Sequence, residues 1–246
     1  MRIAVFGANG RMGSETCRAV SETADLDLIA GIDIGDSRDP ALEANVAVDF
    51  THPDSVMDNI AWCIENKIGV VVGTTGFTPD RLEQVRSVLG DNSPVGVLIA
   101  ANFSIGAVLM MHFAAKAAPH FESVEIIEAH HAGKVDAPSG TAATTARMVA
   151  SARLAAAAPG MPDATAKLLD GARGAQIDGV RVHSLRLPGL IALQEVRLTS
   201  SGETLAIVSD ARSRSCFMPG VLLGIRWVGS HRGLTIGLEP VLGLSV

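Results

Sequence analysis

Apolar and polar positions follow two rhythms along the chain. As far as residue 118, short apolar runs alternate with stretches of helical period; from residue 180 to 210, apolar and polar residues mostly alternate one by one. The runs at 2–6, 26–32, 46–50, 68–72 and 95–100 predict strands of an open parallel sheet, because each is apolar nearly throughout. Between them the pattern predicts helices from residue 11 to about 23, from Pro53 to about 66, and from Pro79, with Thr78 placed to cap and Pro79 at the first helical position. An apolar helix over 105–118 follows, then a strand over 123–128 and a helix over 141–157. Strands are predicted at 180–187, 190–199 and 204–210; with the 123–128 strand they would make a four-stranded, largely antiparallel sheet. Phe217-Met218-Pro219-Gly220 opens a last helix, which with residues 233–237 is expected to return to the first sheet.

Strand–helix alternation followed by strand after strand defines an α/β fold class: a Rossmann-type parallel-sheet domain plus a smaller α+β domain. The expected division is 1–104 with 214–246 for dinucleotide binding, and 105–213 for substrate binding and assembly. A small sheet needs its second face covered, and self-association would cover it. Composition narrows the class. Of 246 residues, 48% are hydrophobic but only 4% aromatic, with no tyrosine, so the core must be aliphatic. A net charge of −6 argues against a nucleic-acid partner. No apolar run approaches the roughly 18 residues of a membrane span, and the first strand begins at Arg2, so neither a membrane partner nor a secretory signal is expected. Cys17, Cys63 and Cys216 are widely spaced and read as free thiols of a reducing cytoplasm. Residues 155–162 are expected to be the loosest segment.

Two places hold candidate chemistry. The first strand runs into Gly7-Ala8-Asn9-Gly10-Arg11-Met12-Gly13, a helix follows, and the second strand closes on Asp33. Strand, glycine turn, helix, strand, acid is the dinucleotide-binding unit, here spaced G-x-x-G-x-x-G. Gly7 permits the turn, Gly10 allows approach to a pyrophosphate, and Gly13 lets the helix pack on the strand. A carboxylate at Asp33 favours the ribose of NADH, whereas Arg11, and more weakly Arg38, could pair with the 2′-phosphate of NADPH, so both cofactors are expected, with a leaning to NADH. Gly73-Thr74-Thr75 and Ala100-Ala101-Asn102-Phe103 end two further strands, where an open parallel sheet binds its ligand.

The second place is 128–141, which joins a strand to a helix. His130 and His131 would point to opposite sides of a strand and so do different work. A histidine exchanges a proton near neutral pH, and Lys134 offers a cation to a carboxylate or, with its pKa lowered, a proton. Ser139, Gly140 and Thr141 open a helix, whose free N–H groups attract anions. Taken singly, a His-His pair is usually a surface or satisfied core pair, and Ser-Gly-Thr is usually a cap; their joint occurrence suggests an acidic substrate that is protonated while bound. Adjacent histidines without a cysteine cluster make no metal site, and none is expected.

These residues carry a resemblance. His130-His131-x-x-Lys134-x-Asp136-Ala137-Pro138-Ser139-Gly140-Thr141 resembles the signature of the dihydrodipicolinate reductase family, bacterial enzymes of lysine and diaminopimelate biosynthesis. Gly73-Thr74-Thr75-Gly76, Asn102-Phe103-Ser104, Val182-His183-Ser184, Gln194-Glu195-Val196 and 217–220 also resemble the family, so the likeness spans nearly the whole chain. Departures are Ala101, where many members have proline, and Leu193 and Ser209, where many have histidine.

The resemblance implies reduction of (2S,4S)-4-hydroxy-2,3,4,5-tetrahydrodipicolinate to tetrahydrodipicolinate with loss of water, NADH or NADPH giving the hydride. It implies His130 as general acid/base and Lys134 as proton donor, with His131, Ser139, Gly140 and Thr141 holding carboxylates and Asp136 and Pro138 shaping the turn. Gly7, Ala8, Asn9, Gly10, Arg11, Met12, Asp33, Gly73, Thr74, Thr75, Ala100, Ala101, Asn102 and Phe103 would contact the cofactor. It further implies a homotetramer acting on a small dicarboxylate; since the cofactor and the signature would sit on different domains, closure of one onto the other is expected to exclude water before transfer. The alternatives are another Rossmann oxidoreductase of small amino or imino acids, and a non-catalytic NAD(H)-sensing protein.

Overall fold

Each strand-length apolar run of the amino-terminal half becomes a parallel strand, buried nearly throughout except for the run at 26–32, which is only partly so. The structure, a computed structural model, describes residues 1–90 and 92–244. Its elements are, in order, β1 (Arg2–Phe6), α1 (Arg11–Ser21), β2 (Asp27–Ile32), β3 (Val46–Asp49), α2 (Val56–Glu65), β4 (Gly69–Val72), α3 (Pro79–Leu89), β5 (Gly96–Ile99), α4 (Ile105–Ala117), β6 (Ser123–His130), α5 (Gly140–Ala155), β7 (Ala175–Ile177), β8 (Val180–Arg186), β9 (Ala192–Ser200), β10 (Glu203–Ala211), α6 (Met218–Ser230) and β11 (Gly233–Ile236). The chain forms two units, Met1–Ile105 with the residues from Arg214 on, and Gly106–Ser213.

The first unit holds a six-stranded sheet in the order β11-β5-β4-β3-β1-β2, parallel throughout. Side chains alternate between its faces. Ala4, Phe6, Val70, Val72, Val97 and Ile99 face one way, packed with Ile60 and Ile64 of α2 and Val85 and Leu89 of α3. Val71 and Leu98 face the other way, where Gly224 lets α6 approach closely. Because β1 pairs with both β2 and β3, the chain switches direction there, and the carboxyl ends of these strands frame a crevice. The second helix begins at Val56, not at Pro53: the His52 carbonyl accepts the N–H groups of Ser55 and Val56, so residues 52–55 form a turn before it.

The second unit corrects the expected sheet. It has five strands, not four, in the order β10-β9-β6-β8-β7, and is antiparallel as expected except between β6 and β8. β6 runs parallel to β8 because the chain crosses over through α5 between them, and antiparallel to β9. The extra strand β7 is a short hairpin arm joined to β8 through Asp178 and Gly179, both at positive φ (47° and 88°), as in a two-residue hairpin turn. On one face Ile126, Val182, Val196 and Leu198 are buried, as are Ala142, Ala146 and Val149 of α5, which packs against β6 and β8. The registers put Ile127, Leu185, Leu193 and Val208 on the opposite face, where Leu185 and Val208 are exposed. Of the departures noted above, Leu193 lies on this outer face and Ser209 pairs with Gln194 on the inner one.

Arg153 holds the end of α5. Its buried guanidinium donates to the carbonyls of Ala118, Phe121, Glu122 and Pro159, so residues just past the helix are tied down instead of loose.

Candidate active site

In the first unit, the turn after β1 is built by glycine. Gly7 sits at φ +77°, and a Cβ there would lie 2.7 Å from the Phe50 carbonyl oxygen. A Cβ on Gly13 would collide with the Gly7 carbonyl, so α1 seats against the turn only with glycine at that position. Gly10 caps α1 without a side-chain hydrogen bond, and no acidic residue stands in the first turn. That helix end therefore suits an anion, and Arg11 is exposed beside it. Asp33 stands just past β2. Its carboxylate accepts the backbone N–H groups of Asn9 (2.7 Å) and Ile34 (2.8 Å), and these two bonds hold its pKa below the usual carboxylate range. The Asp33 N–H donates in turn to Asp36 (2.9 Å).

A cleft of about 400 Å³ lies here, lined among others by Gly7, Gly10, Asp33, Arg38 and Phe50. Its size is that of a small-molecule site, roughly 300–1,000 Å³. Anion-receptive helix end, pinned carboxylate and cleft together fit the pyrophosphate and ribose of a nicotinamide nucleotide. Arg38 is already engaged: its guanidinium stacks over Trp62, 5.5 Å from the ring centre, and donates to Asn59 Oδ1 (3.3 Å). The other expected cofactor residues divide. Ala8 and Met12 are half-buried in the turn, and Thr75 and Ala101 are exposed. Thr74 is buried, its hydroxyl donating to Asp49 (3.0 Å). Phe103 is 3% exposed, edge-on to Phe50 at 5.9 Å, and Ala100 is buried. Thr74, Ala100 and Phe103 thus support the rim with their side chains. Asn102 Oδ1 accepts the Ser104 N–H at 2.8 Å, and Gly73 faces the Phe50 ring so closely that a Cβ would overlap it.

In the second unit, β6 brings Glu128 and His130 to one face, two residues apart. Glu128 is fully buried. Its Oε1 accepts from Arg186 Nη2 (2.8 Å) and the Ser139 N–H (3.2 Å). Its Oε2 lies 2.5 Å from His130 Nδ1 and 3.0 Å from Arg186 Nη1. Burial pushes the Glu128 carboxyl up, but hydrogen bonds from Arg186, Ser184 and His130 together outweigh it and hold the pKa low. His130 is also lowered: burial, with the charges of Lys134 and Arg186, outweighs the attraction of Glu128. His131 lies beyond the strand, its carbonyl accepting the Lys134 N–H in a turn. The Lys134 ammonium meets Asp136 Oδ1 at 2.7 Å. That contact, opposed by partial burial and helped by the Gly140 N–H, keeps Asp136 low in pKa. The Ala137–Pro138 peptide is cis. Ser139 then caps α5, its hydroxyl accepting the Ala142 N–H (3.2 Å), and Gly140 and Thr141 form the first turn.

The fold thus gathers His130, Lys134, Asp136 and Ser139 around one end of α5. A cation, a helix amino terminus and a neutral imidazole in one place can hold a carboxylate and exchange a proton with what it belongs to. Glu128 and Arg186 were not singled out from the sequence. A glutamate two residues before His130 on an apolar strand was the available signal; Arg186 gave none. Among the described residues, no group of three or more His, Cys, Asp or Glu could hold a metal ion.

The first unit is a Rossmann-type nucleotide-binding fold, and the second sets a histidine, a lysine and a helix amino terminus together; these are the parts of a nicotinamide-dependent reductase. Comparison with known proteins agrees. The family models "Dihydrodipicolinate reductase, N-terminus" and "Dihydrodipicolinate reductase, C-terminus" match residues 1–103 and 106–242. The chain is 59% identical to the 4-hydroxy-tetrahydrodipicolinate reductase of Thermobifida fusca over 99% of this chain and 100% of that one. It is 54% identical to the enzyme of the same name from Cutibacterium acnes over the full length of both. A dipicolinate-bound dihydrodipicolinate reductase from Paenisporosarcina sp. TG-14 superposes with a TM-score of 0.85, at 37% identity and 98% coverage of each chain. The chain belongs to the dihydrodipicolinate reductase family.

Proposed function

We propose that this chain reduces (2S,4S)-4-hydroxy-2,3,4,5-tetrahydrodipicolinate to tetrahydrodipicolinate, with loss of water, in lysine and diaminopimelate biosynthesis. The observation that carries the reading is the cluster at the start of α5, where Lys134, His130 and Ser139 converge on one helix end. NADH or NADPH, held by the glycine turn and Asp33, supplies a hydride. A hydride arriving on a conjugated imine builds negative charge that a nearby acid must quench. Lys134 donates that proton and lies beside a substrate carboxylate. His130 exchanges a proton through its imidazole. His131, Ser139, Gly140 and Thr141 hold carboxylates, through side chains or through the N–H groups of the first helical turn. Asp136 and Pro138 shape the loop between them.

On this reading the first unit binds the cofactor, and the second binds substrate and self-associates into a homotetramer. Exposed Leu185 and Val208 on the outer sheet face, set among Arg181, Glu195 and Arg197, support assembly, since these apolar side chains are otherwise left in water. Light scattering on the purified protein tests it: a monomer would refute it. A cytoplasmic setting is supported by three free cysteines. No helix of the described residues is long and apolar enough to cross a membrane.

The test of function is loss of nicotinamide absorbance with substrate made in place by the preceding synthase from pyruvate and aspartate semialdehyde. Oxidation that requires the synthase product is expected with at least one cofactor. Folded protein that binds both cofactors and oxidises neither would remove the assignment.

A further inference from the structure

Glu128 is the most heavily engaged carboxylate of the second unit, yet it is buried and cannot itself reach a ligand. An isolated buried carboxylate is costly, and one kept in a site has a task or a partner. Its partner is Arg186, which reaches both carboxylate oxygens through two nitrogens, at 2.8 and 3.0 Å, the fork geometry that holds a carboxylate in one plane. Arg186 is fixed in turn by the Asp136 carbonyl, 2.6 Å from Nη2. Glu128 also meets Ser184, the Ser139 N–H and His130 Nδ1. One buried group therefore touches the histidine, the cap of α5 and, through Arg186, the loop that carries Lys134.

An ionised carboxylate only accepts hydrogen bonds, and Arg186 keeps Glu128 ionised. The proton in the short contact to His130 must then sit on Nδ1. In a neutral imidazole this leaves Nε2 bare, with its lone pair as the only site for proton exchange.

We propose that Glu128 and Arg186 are positioning residues of the reaction: Arg186 locks the Glu128 carboxylate, and Glu128 fixes His130 as the Nδ1–H tautomer so that Nε2 faces the ligand. The inference rests on the reaction assigned above, but its primary measurement does not. Glu128 exchanges no proton; it orients the ring and offsets the charge of the imidazolium when Nε2 takes one up.

The experiment is proton–nitrogen correlation on ligand-free, nitrogen-15 histidine-labelled full-length protein, above the titration of His130, with the signal assigned by its absence from His130→Asn. Wild type should show Nδ1 protonated and Nε2 bare. In Glu128→Gln the amide oxygen will turn to Arg186 and the NH₂ group to the ring, so His130 should switch to the Nε2–H form. Turnover should then fall by about 10- to 100-fold, the usual cost of losing such a partner. The loss should appear in kcat, with KM for the dicarboxylate and the Kd of NADH little changed. Arg186→Lys keeps the charge without the fork; it should retain the tautomer and lose part of kcat. A wild-type Nε2–H form overturns the proposal, whether or not Glu128→Gln folds. So does a Glu128→Gln protein with unaltered tautomer and turnover. Wild-type protein with the Nδ1–H form but no turnover would sink the assigned reaction and leave the tautomer assignment standing.

Discussion

The backbone N–H of Asn9 donates to Asp33 Oδ2 at 2.7 Å, tying the glycine turn to the end of β2. The carboxylate expected to meet the ribose is thus also a brace of the loop expected to meet the pyrophosphate. Asp33→Ala should weaken both nicotinamide nucleotides through the loosened turn, and NADH more than NADPH through the lost ribose contact. Titration of each nucleotide by protein fluorescence decides it. Equal losses would leave Asp33 a brace and nothing more.

Lys134→Ala removes a cation and a proton donor together. Its kcat/KM should fall by at least about 100-fold, the lower range for loss of a general acid, while nucleotide binding persists. Near-normal turnover would take Lys134 out of the chemistry.

Asp136 faces Lys134 and the Gly140 N–H, where the reading above puts a substrate carboxylate. It is therefore a competing anion built into the loop. Asp136→Asn should tighten binding of a planar dicarboxylate such as dipicolinate by a few-fold, in line with the roughly 0.2–1 kcal/mol of an exposed ion pair. Calorimetry would read it, and weaker binding would mean that shaping the loop is the whole of what Asp136 does.

Acid should loosen the second unit in two stages. The pKa of His130 is lowered in the fold, so the unfolded chain takes up that proton first, and stability declines as pH falls below about 6.5. Glu128 is lowered too; its contribution is complete above about 4.3, the unfolded value, and is lost as pH falls through the lower folded value. Melting temperature against pH should show both, and His130→Asn should erase the upper one and shrink the lower, since the ring also helps to hold Glu128 low.

Arg153→Met should be severe. It strips the hydrogen bonds from the buried carbonyl of Ala118 and the part-buried ones of Phe121, Glu122 and Pro159, at an expected cost of about 2–4 kcal/mol. A melting temperature within experimental error of wild type would show that water replaces the guanidinium.

The layered architecture was legible because strands buried on both faces leave continuous apolar runs, as in β3, β4 and β5. The short strand β7 was not, being three residues long and mostly exposed; the Asp178-Gly179 turn was the one mark it left. The start of α2 was misplaced because Pro53 fits a first helical turn and an ordinary turn equally well. In the candidate site, the stretch 130–141 reads out locally. Glu128 and Arg186 do not, since they are 58 residues apart and meet only through the register of β6 with β8. Thr74 and Phe103 are marked as candidate cofactor contacts by their place at strand ends; that their side chains turn inward, leaving the backbone to meet a ligand, is a matter of packing that no motif encodes.

β11 closes the edge of the parallel sheet against β5, although the whole second unit is spelled out between them in the chain. A ribosome emits the chain in order, so β5 must wait with its outer backbone groups unpaired while more than a hundred further residues are made. The nucleotide-binding half is thus the first begun and the last finished. Nascent chains stalled before residue 233 would expose a sticky strand, and such fragments should need a chaperone where the full-length chain does not.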